Sequence, residues 1–562
     1  MRSAKKLNFP TPNAHQQEIF SKELGISRIL AQLLLNRGIT IISEAEKFIN
    51  IKLSDLHDPY LFSDMHKAVK LIRQAAKNKD KVMVFGDYDV DGITSVALLK
   101  NTLSKIGISA LHYLPHRIKE GYGLTKNILH TAKEKGIKLL ITVDCGTSGI
   151  QQVKELRAAG IEVIITDHHE PASSQLPDAS AMINPKIKGC GYKFRELAGV
   201  GVAYKLCQAL TASDLSDDLD IVSLGTIADV VPLTGENRII AKFGLAGLSV
   251  TSRPGLKALI ENSRIKNKKI NSTYVAYILG PRINASGRMD TGEIALSLLT
   301  TKDDGEAGEL AKALEKFNRD RQKIEAEILD QAFKLIEKEV NFKDHKVIVV
   351  ASEGWHQGVL GIVASKIADR FYRPAIIISL VDGICKGSGR SIKNFHLFQA
   401  LVECREFLHA FGGHAHAVGL NIHRDKVQVF REKINNFAKE KLQLEDLLPS
   451  LEIDMELGLS DLTEELIGQL QALEPFGTGN PEPLFISRNL TLKGSPQMLG
   501  RETIKFWVSD GRLTYQAIGF GKAALRDSLM NAAAFDLVFT PRFDTWQDNN
   551  SILLEVEDLF CK

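Results

Sequence analysis

The acids of this chain that could do chemistry stand where apolar runs end. Val82-Met83-Val84-Phe85-Gly86 reads as a strand, and Asp87, Asp89 and Asp91 follow it at alternate positions before Gly92 opens what reads as a helix. Three unpaired carboxylates gathered there repel one another, and burying them is costly unless protons or cations neutralise them. The simplest neutraliser is a hard divalent metal. Alone, such a string fits a solvated loop or a calcium-type site equally well. Two further strand-like runs change that balance: Leu139-Leu140-Ile141-Thr142-Val143 ends in Asp144, and Val163-Ile164-Ile165-Thr166 ends in Asp167-His168-His169. Asp229 closes the apolar helical run Ser223–Ala228, where a lone acid is otherwise out of place. Singly, Asp144 and Asp229 could be cap or turn acids and the histidine pair a surface turn. Repeated at one edge of three successive strands, they point to a metal centre.

Ligand type narrows the metal. Oxygen from Asp87, Asp89, Asp91, Asp144, Asp167 and Asp229, with nitrogen from His168 and His169, suits manganese or magnesium better than zinc or copper. So many acids exceed what one ion needs. Two ions about 3.5–4 Å apart, sharing a carboxylate, are the arrangement that supports in-line attack on phosphorus. Cys145 reads as a small packing residue rather than a ligand.

The elements that position these groups form an α/β pattern. From Lys81 to about Pro232 short apolar runs alternate with helical stretches, as in β-α units around a mostly parallel sheet, whose ligands bind beyond the carboxyl ends of the strands. At 562 residues the chain exceeds a single core. Hydrophobic residues make up 44% and charged residues 25%, which places it among globular proteins, and no apolar stretch is long enough to span a bilayer. Basic residues near Met1 have no apolar run behind them, so no secretory signal is expected. Six cysteines without C-x-x-C spacing argue against a disulfide framework or zinc knuckle and for a reducing, cytoplasmic setting. With a net charge of only +3, binding of a polyanion needs positive charge concentrated locally.

Gly86–Gly92, Val143–Gly146, Asp167–His169 and Ile227–Pro232 together resemble, in order, the four motifs of the DHH phosphoesterase superfamily. Leu114-Pro115-His116-Arg117, Glu120-Gly121-Tyr122-Gly123, Pro281–Arg288 and Gly354–Ala364 narrow the likeness to the RecJ single-strand-specific DNA exonucleases. The resemblance runs from about residue 70 to the C-terminus. It implies Asp89, Asp91, Asp144, His168 and Asp229 as direct ligands of two Mn2+ or Mg2+ ions, with Asp144 bridging; Asp87, Asp167 and His169 are further ligands or the groups that orient them. The catalytic candidates are Asp144, His168 and His169, and the metal candidates Asp87, Asp89, Asp91, Asp144, His168 and Asp229. The resemblance also implies 5′-to-3′ digestion of single-stranded DNA in repair and recombination, by a bacterial monomer without a membrane partner. A single-stranded-DNA-binding protein and a helicase are the protein partners it suggests. Arg117, Arg288, Ser388 and Arg390 would form a pocket for the 5′ end, and Tyr122 and His414 complete the substrate-binding candidates.

The domains expected are an N-terminal helical segment (1–75), the catalytic domain (76–300), a long solvated connector helix (301–342), a second α/β, DHH-associated domain (343–440), and an OB-like barrel (455–562). Gly387–Ser391 and Phe411–Gly419 supply the glycines and hydroxyls that let backbone approach an anion, although tight turns would explain them as well. His414 and His416 alternate as strand residues do, which favours contacts to phosphate or base over a further metal site. Five strand-like segments after residue 485 suit the barrel. Trp507, Tyr515, Phe520, Phe543 and Trp546, interspersed with Lys505, Arg512, Lys522 and Arg542, could stack bases, with half of the aromatics expected in the core. Two other readings remain: a phosphodiesterase of the same superfamily acting on short oligonucleotides or cyclic dinucleotides, and a non-catalytic replication scaffold.

Overall fold

The computed structural model describes residues 5–171, 173–265, 268–544 and 551–562. Trp546 lies outside them. The chain forms two compact units, one from His57–Val231 with Phe243–Pro449 and one from Lys5–Leu56, Pro232–Lys242 and Ser450–Lys562. Among the described residues no helix is long and apolar enough to cross a membrane.

The first unit is built on an all-parallel sheet. In chain order it comprises β1 (Val82–Gly86), helix α1 (Val90–Lys105), β2 (Leu111–Tyr113), helix α2 (Ile128–Lys135), β3 (Leu139–Val143), helix α3 (Ile150–Ala158), β4 (Glu162–Thr166) and β5 (Ala181–Ile183). The central strands β1 and β3 are buried throughout and largely apolar because helices cover the sheet. Met83, Phe85, Leu140, Val163 and Ile165, for example, pack on Ile128, Ala132, Val153 and Leu156 from α2 and α3. The spatial order is β2-β1-β3-β4-β5, so the direction of strand addition reverses between β1 and β3. At such a reversal right-handed crossovers leave on opposite faces of the sheet and open a crevice at the carboxyl ends of the two strands. Asp87 follows β1 and Asp144 follows β3. Helices α4 (Gly199–Thr211), α5 (Leu219–Ala228) and α6 (Gly280–Met289) belong to the same unit.

The 36-residue helix α7 (Asp304–Glu339) leads to the second sheet. The expected solvated connector needs correcting: Ala307, Ala311, Leu314, Asn318, Arg321, Glu325, Ile328, Ala332 and Ile336 form a buried stripe at helical spacing. Most of the charged residues that gave a solvated appearance lie off this stripe, while Arg321 and Glu325 pair with each other within it. The second sheet contains β6 (Ile348–Glu353), β7 (Ala375–Leu380), β8 (Ile384–Arg390), β9 (Leu408–Gly413) and β10 (Ala417–His423), in the order β9-β10-β8-β7-β6, with helix α8 (Leu360–Phe371) between β6 and β7. Only β6 and β7 run parallel.

The second unit contains a closed five-stranded barrel: β11 (Phe485–Leu499), β12 (Thr503–Ser509), β13 (Thr514–Gly519), β14 (Phe535–Phe543) and β15 (Ile552–Cys561). Its strands pair in the cycle β11-β12-β13-β15-β14-β11, with β13 and β15 parallel, as in an OB barrel. The hairpin at 509–512 forms as its residues suggest, with Asp510 Oδ1 accepting from the N–H groups of Arg512 and Leu513. The expected segment 1–75 divides between the units. Phe20, Leu30, Leu33 and Leu34 share one core with Phe485, Phe506, Phe535 and Phe539, whereas helix Met65–Asn78 lies in the parallel-sheet unit. Amphipathic periodicity identifies such helices but does not say which core their apolar faces join. The segment Leu473–Pro483 serves this unit's structure: buried Asn480 donates to the carbonyls of Leu473 and Pro475 and accepts from Arg37 Nε, each at 2.8 Å.

Candidate active site

The acids meet in the crevice between β1 and β3. Asp89 caps α1, its Oδ1 accepting the Gly92 N–H at 3.1 Å. In the first turn of that helix, the Asp91 carboxylate accepts the Gly199 and Val200 N–H groups at 2.6 and 2.7 Å. The positive end of the α4 dipole thus anchors an acid from another element. Glycine is required at 199 because a Cβ there would lie 2.5 Å from Asp144 Oδ1. Asp144 has a φ of +58°, and Val230, next to Asp229, has +62°. A β-branched residue in the left-handed region is a genuine backbone outlier, and here it adjoins an acid of the crevice.

His168 Nε2 lies 3.2 Å from Asp144 Oδ1, 3.6 Å from Asp229 Oδ2 and 3.7 Å from Asp91 Oδ2. Burial, and secondarily His169, push its pKa down to about 3, so the ring is neutral. Among the described residues Nε2 has no hydrogen-bond partner, and neither do the buried Oδ1 atoms of Asp87 and Asp144. An imidazole lone pair facing three carboxylates is stable only when a cation or protons lie between them. The carboxyl groups respond as expected. Burial, reinforced by neighbouring acids, raises Asp87, Asp144 and Asp229 well above the usual carboxylate range and Asp91 to about 7. Ligand atoms of Asp87, Asp89 and Asp144, of Asp91, His168 and Asp229, and of Asp144, His168 and His169 lie within 4.8 Å of one another in each set. These overlapping oxygen-rich sets, with their unpartnered atoms, fit hard divalent ions.

Asp167 is occupied differently. Oδ1 accepts the N–H groups of His168 and His169 and bonds His169 Nδ1 at 2.8 Å, while Oδ2 accepts the Thr147 N–H at 2.9 Å. Burial alone would raise this acid, but its histidine and amide partners bring it down to about 2. It orients the histidine turn. For His169, burial works downward, yet the Asp167 carboxylate lifts the ring above its ordinary value. Tyr122 Oη is 2.9 Å from the same Nδ1.

Basic residues assemble at the edge of this crevice. Arg117 lies over the Tyr88 ring at 4.9 Å. Arg288 donates to the Gly358 carbonyl at 3.2 Å. Ser388 and Arg390 flank the first turn of α8, where a Cβ on Gly361 would stand 3.1 Å from Ser388 Oγ and 3.3 Å from an Arg390 terminal nitrogen. Burial, with Arg117 among the repelling neighbours, lowers Arg390 and brings Arg288 down to about 9. The expected four residues are therefore together. His414 is exposed in the turn between β9 and β10, its N–H donating to the carbonyl of Ala417, which pairs with Arg390. The Gly199 and Val200 amides were not legible as site groups, because backbone donors carry no side-chain signature. Lys386 shares the face of β8 that carries Ser388 and Arg390, with which it alternates.

Three family models match: "DHH family, N-terminal domain" over residues 81–227, "DHHA1 domain" over 344–440 and "RecJ OB domain" over 453–558. The class these define is a DHH phosphoesterase chain carrying an OB domain. The single-stranded-DNA-specific exonuclease RecJ of Bacillus subtilis is 38% identical over 550 residues, covering 97% of this chain and 70% of that protein. The protein of the same name from Dickeya dadantii is 35% identical, with 95% of this chain and 96% of its own length covered. Crystal structures of RecJ from Thermus thermophilus in complex with Mn2+ and with Mg2+, each 26% identical, match 99% of this chain and 80% and 78% of theirs, with TM-scores of 0.85 and 0.78. The chain belongs to the RecJ family of single-stranded-DNA-specific exonucleases.

Proposed function

We propose that this protein is a manganese- or magnesium-dependent exonuclease that degrades single-stranded DNA from its 5′ end to mononucleotides, in the repair and recombination of bacterial DNA. The observation that carries the reading is the neutral His168 Nε2 within 3.7 Å of three carboxylates. Asp87, Asp89 and Asp144 would hold one ion, and Asp91, His168 and Asp229 the other, with Asp144 between them. When bound, such a pair activates water as a nucleophile at neutral pH and screens the charge that builds on phosphoryl oxygens. The chain's own residues fix the geometry. The α4 amides hold Asp91, Asp167 holds the histidine turn, and His169 keeps a proton-carrying group beside Asp144. Arg117, Arg288, Ser388 and Arg390 bind the 5′ end. Three guanidiniums that repel one another gain most from a phosphate dianion, and the forked donors of arginine match its oxygens. An end held there sets the direction of digestion. The reaction belongs in the bacterial cytoplasm, where a helicase would supply single strands and a single-stranded-DNA-binding protein would coat them.

Single-stranded DNA labelled at either end, with Mn2+ or Mg2+, tests this against Asp144→Ala. Immediate mononucleotide release from the 5′ label, delayed release from the 3′ label and no turnover by the variant are expected. Activity confined to dinucleotides, or none with either metal, would overturn it.

A further inference from the structure

We propose that Lys386 is a positioning residue that clamps the loop at 114–123 against β8, so that the 5′-end site forms as one unit from two sheets; this deepens the end-binding reading above and rests on it. Strand parity gives the first argument. Along β8, Cys385, Gly387 and Gly389 are buried while Lys386, Ser388 and Arg390 are only partly so, which places these three on one face. Ser388 and Arg390 are already placed at the α8 turn. Lys386 Nζ reaches across and donates to the Ile118 carbonyl at 2.9 Å.

The loop it holds has two duties. Ile118 adjoins Arg117, and Tyr122, four residues on, reaches both His169 Nδ1 and, at 3.4 Å, the Asp144 carbonyl. Gly121 and Gly123 each have a φ of +84°, so the backbone turns sharply on both sides of Tyr122. Glu120 closes the loop from within by accepting the His116 N–H at 2.7 Å and the Tyr113 hydroxyl at 2.5 Å. That internal brace fixes the loop's shape but not its place relative to β8. The link between Lys386 and Ile118 ties it to the strand carrying Ser388 and Arg390. Without the link, Arg117 has its stacking on Tyr88 to hold it against two repelling arginines.

The test uses the full chain with Lys386→Ala and Lys386→Arg, the latter keeping a cationic donor. Hydrogen exchange of residues 114–123, measured without DNA or metal, should quicken in the alanine variant and return towards wild type in the arginine variant, with melting temperatures unchanged. On 5′-phosphorylated single strands Lys386→Ala should raise KM by roughly 10-fold, as expected for losing one charge-assisted hydrogen bond. Its kcat should remain within about twofold, and its KM on 5′-hydroxyl strands should change much less. Unchanged loop exchange would overturn the proposal. So would a KM raised equally for both ends with a salt slope reduced by about 0.7, the signature of a lost phosphate contact along the strand. A wild type that treats both ends alike would sink the end-pocket reading instead, and loop exchange would still decide the clamp.

Discussion

At the scale of single residues, four crowded acids of the centre are shifted towards their protonated forms. Burial and Asp89 raise Asp91 from 3.8 to about 7, and Asp87, Asp144 and Asp229 also move upward. A carboxyl group whose folded pKa exceeds its unfolded one binds more protons when folded, so the metal-free chain loses stability as pH rises between the two values. For Asp91 that window is about pH 4 to 7. A bound ion removes the penalty by taking the proton's place. The rise in melting temperature on adding Mn2+ should therefore be small at pH 5.5 and large at pH 8. Calorimetry at pH 6.5 in buffers of differing ionisation enthalpy should show proton release on binding. A stabilisation independent of pH would mean that the acids are already ionised without metal. At the basic edge, Arg390→Ala should reduce discrimination for a 5′-phosphorylated end while leaving the Mn2+-induced stabilisation intact. Equal end preference in wild type and variant would remove Arg390 from the pocket.

Among elements, α4 has a part out of proportion to its chemistry. Its first amides hold Asp91, and its first residue leaves no room beside Asp144. Gly199→Ala must displace the Asp144 carboxylate or the helix, with an overpacking cost of about 1–3 kcal/mol. The expected result is a folded protein whose Mn2+ affinity falls by roughly 10- to 100-fold, as when groups supporting a ligand are disturbed. An unaltered titration would show that the crevice yields elsewhere. The strands that deliver the acids were legible because buried parallel strands read as unbroken apolar runs, and all six metal-ligand candidates converge on the β1–β3 crevice. The partnership of Asp91 with α4 was not, since it joins residues 108 positions apart through backbone amides. The stripe on α7 and the division of residues 1–75 escaped for a related reason: sequence reports an apolar face, while its partner is a matter of tertiary packing.

For the molecule as a whole, a net charge of +3 leaves polyanion binding to local features, the arginines at the crevice and any exposed aromatic surface on which bases can stack. The barrel shows which rings are available. Tyr515 is half-buried, its hydroxyl donating to the Leu462 carbonyl at 2.9 Å, and Phe543 packs on the core. Trp507 and Phe520 are each 46% exposed. Along β12, Ile504, Phe506 and Val508 are buried, which turns Lys505 and Trp507 outward, and Lys493 and Gln516 stand opposite Trp507 on the adjoining strands. An indole left in water between a lysine and an amide suits a base stacked on its face. Trp507→Ala should therefore weaken binding of long single strands by roughly 1–3 kcal/mol, read as Kd by fluorescence anisotropy. KM should rise with it on long substrates but little on strands of a few nucleotides, and kcat at saturation should stay within about twofold. The Mn2+-induced shift in melting temperature should not move, because the metal ligands belong to the other unit. If Kd stays at the wild-type value on long strands, the exposed indole faces a protein partner rather than DNA, and length discrimination has to originate within the parallel-sheet unit.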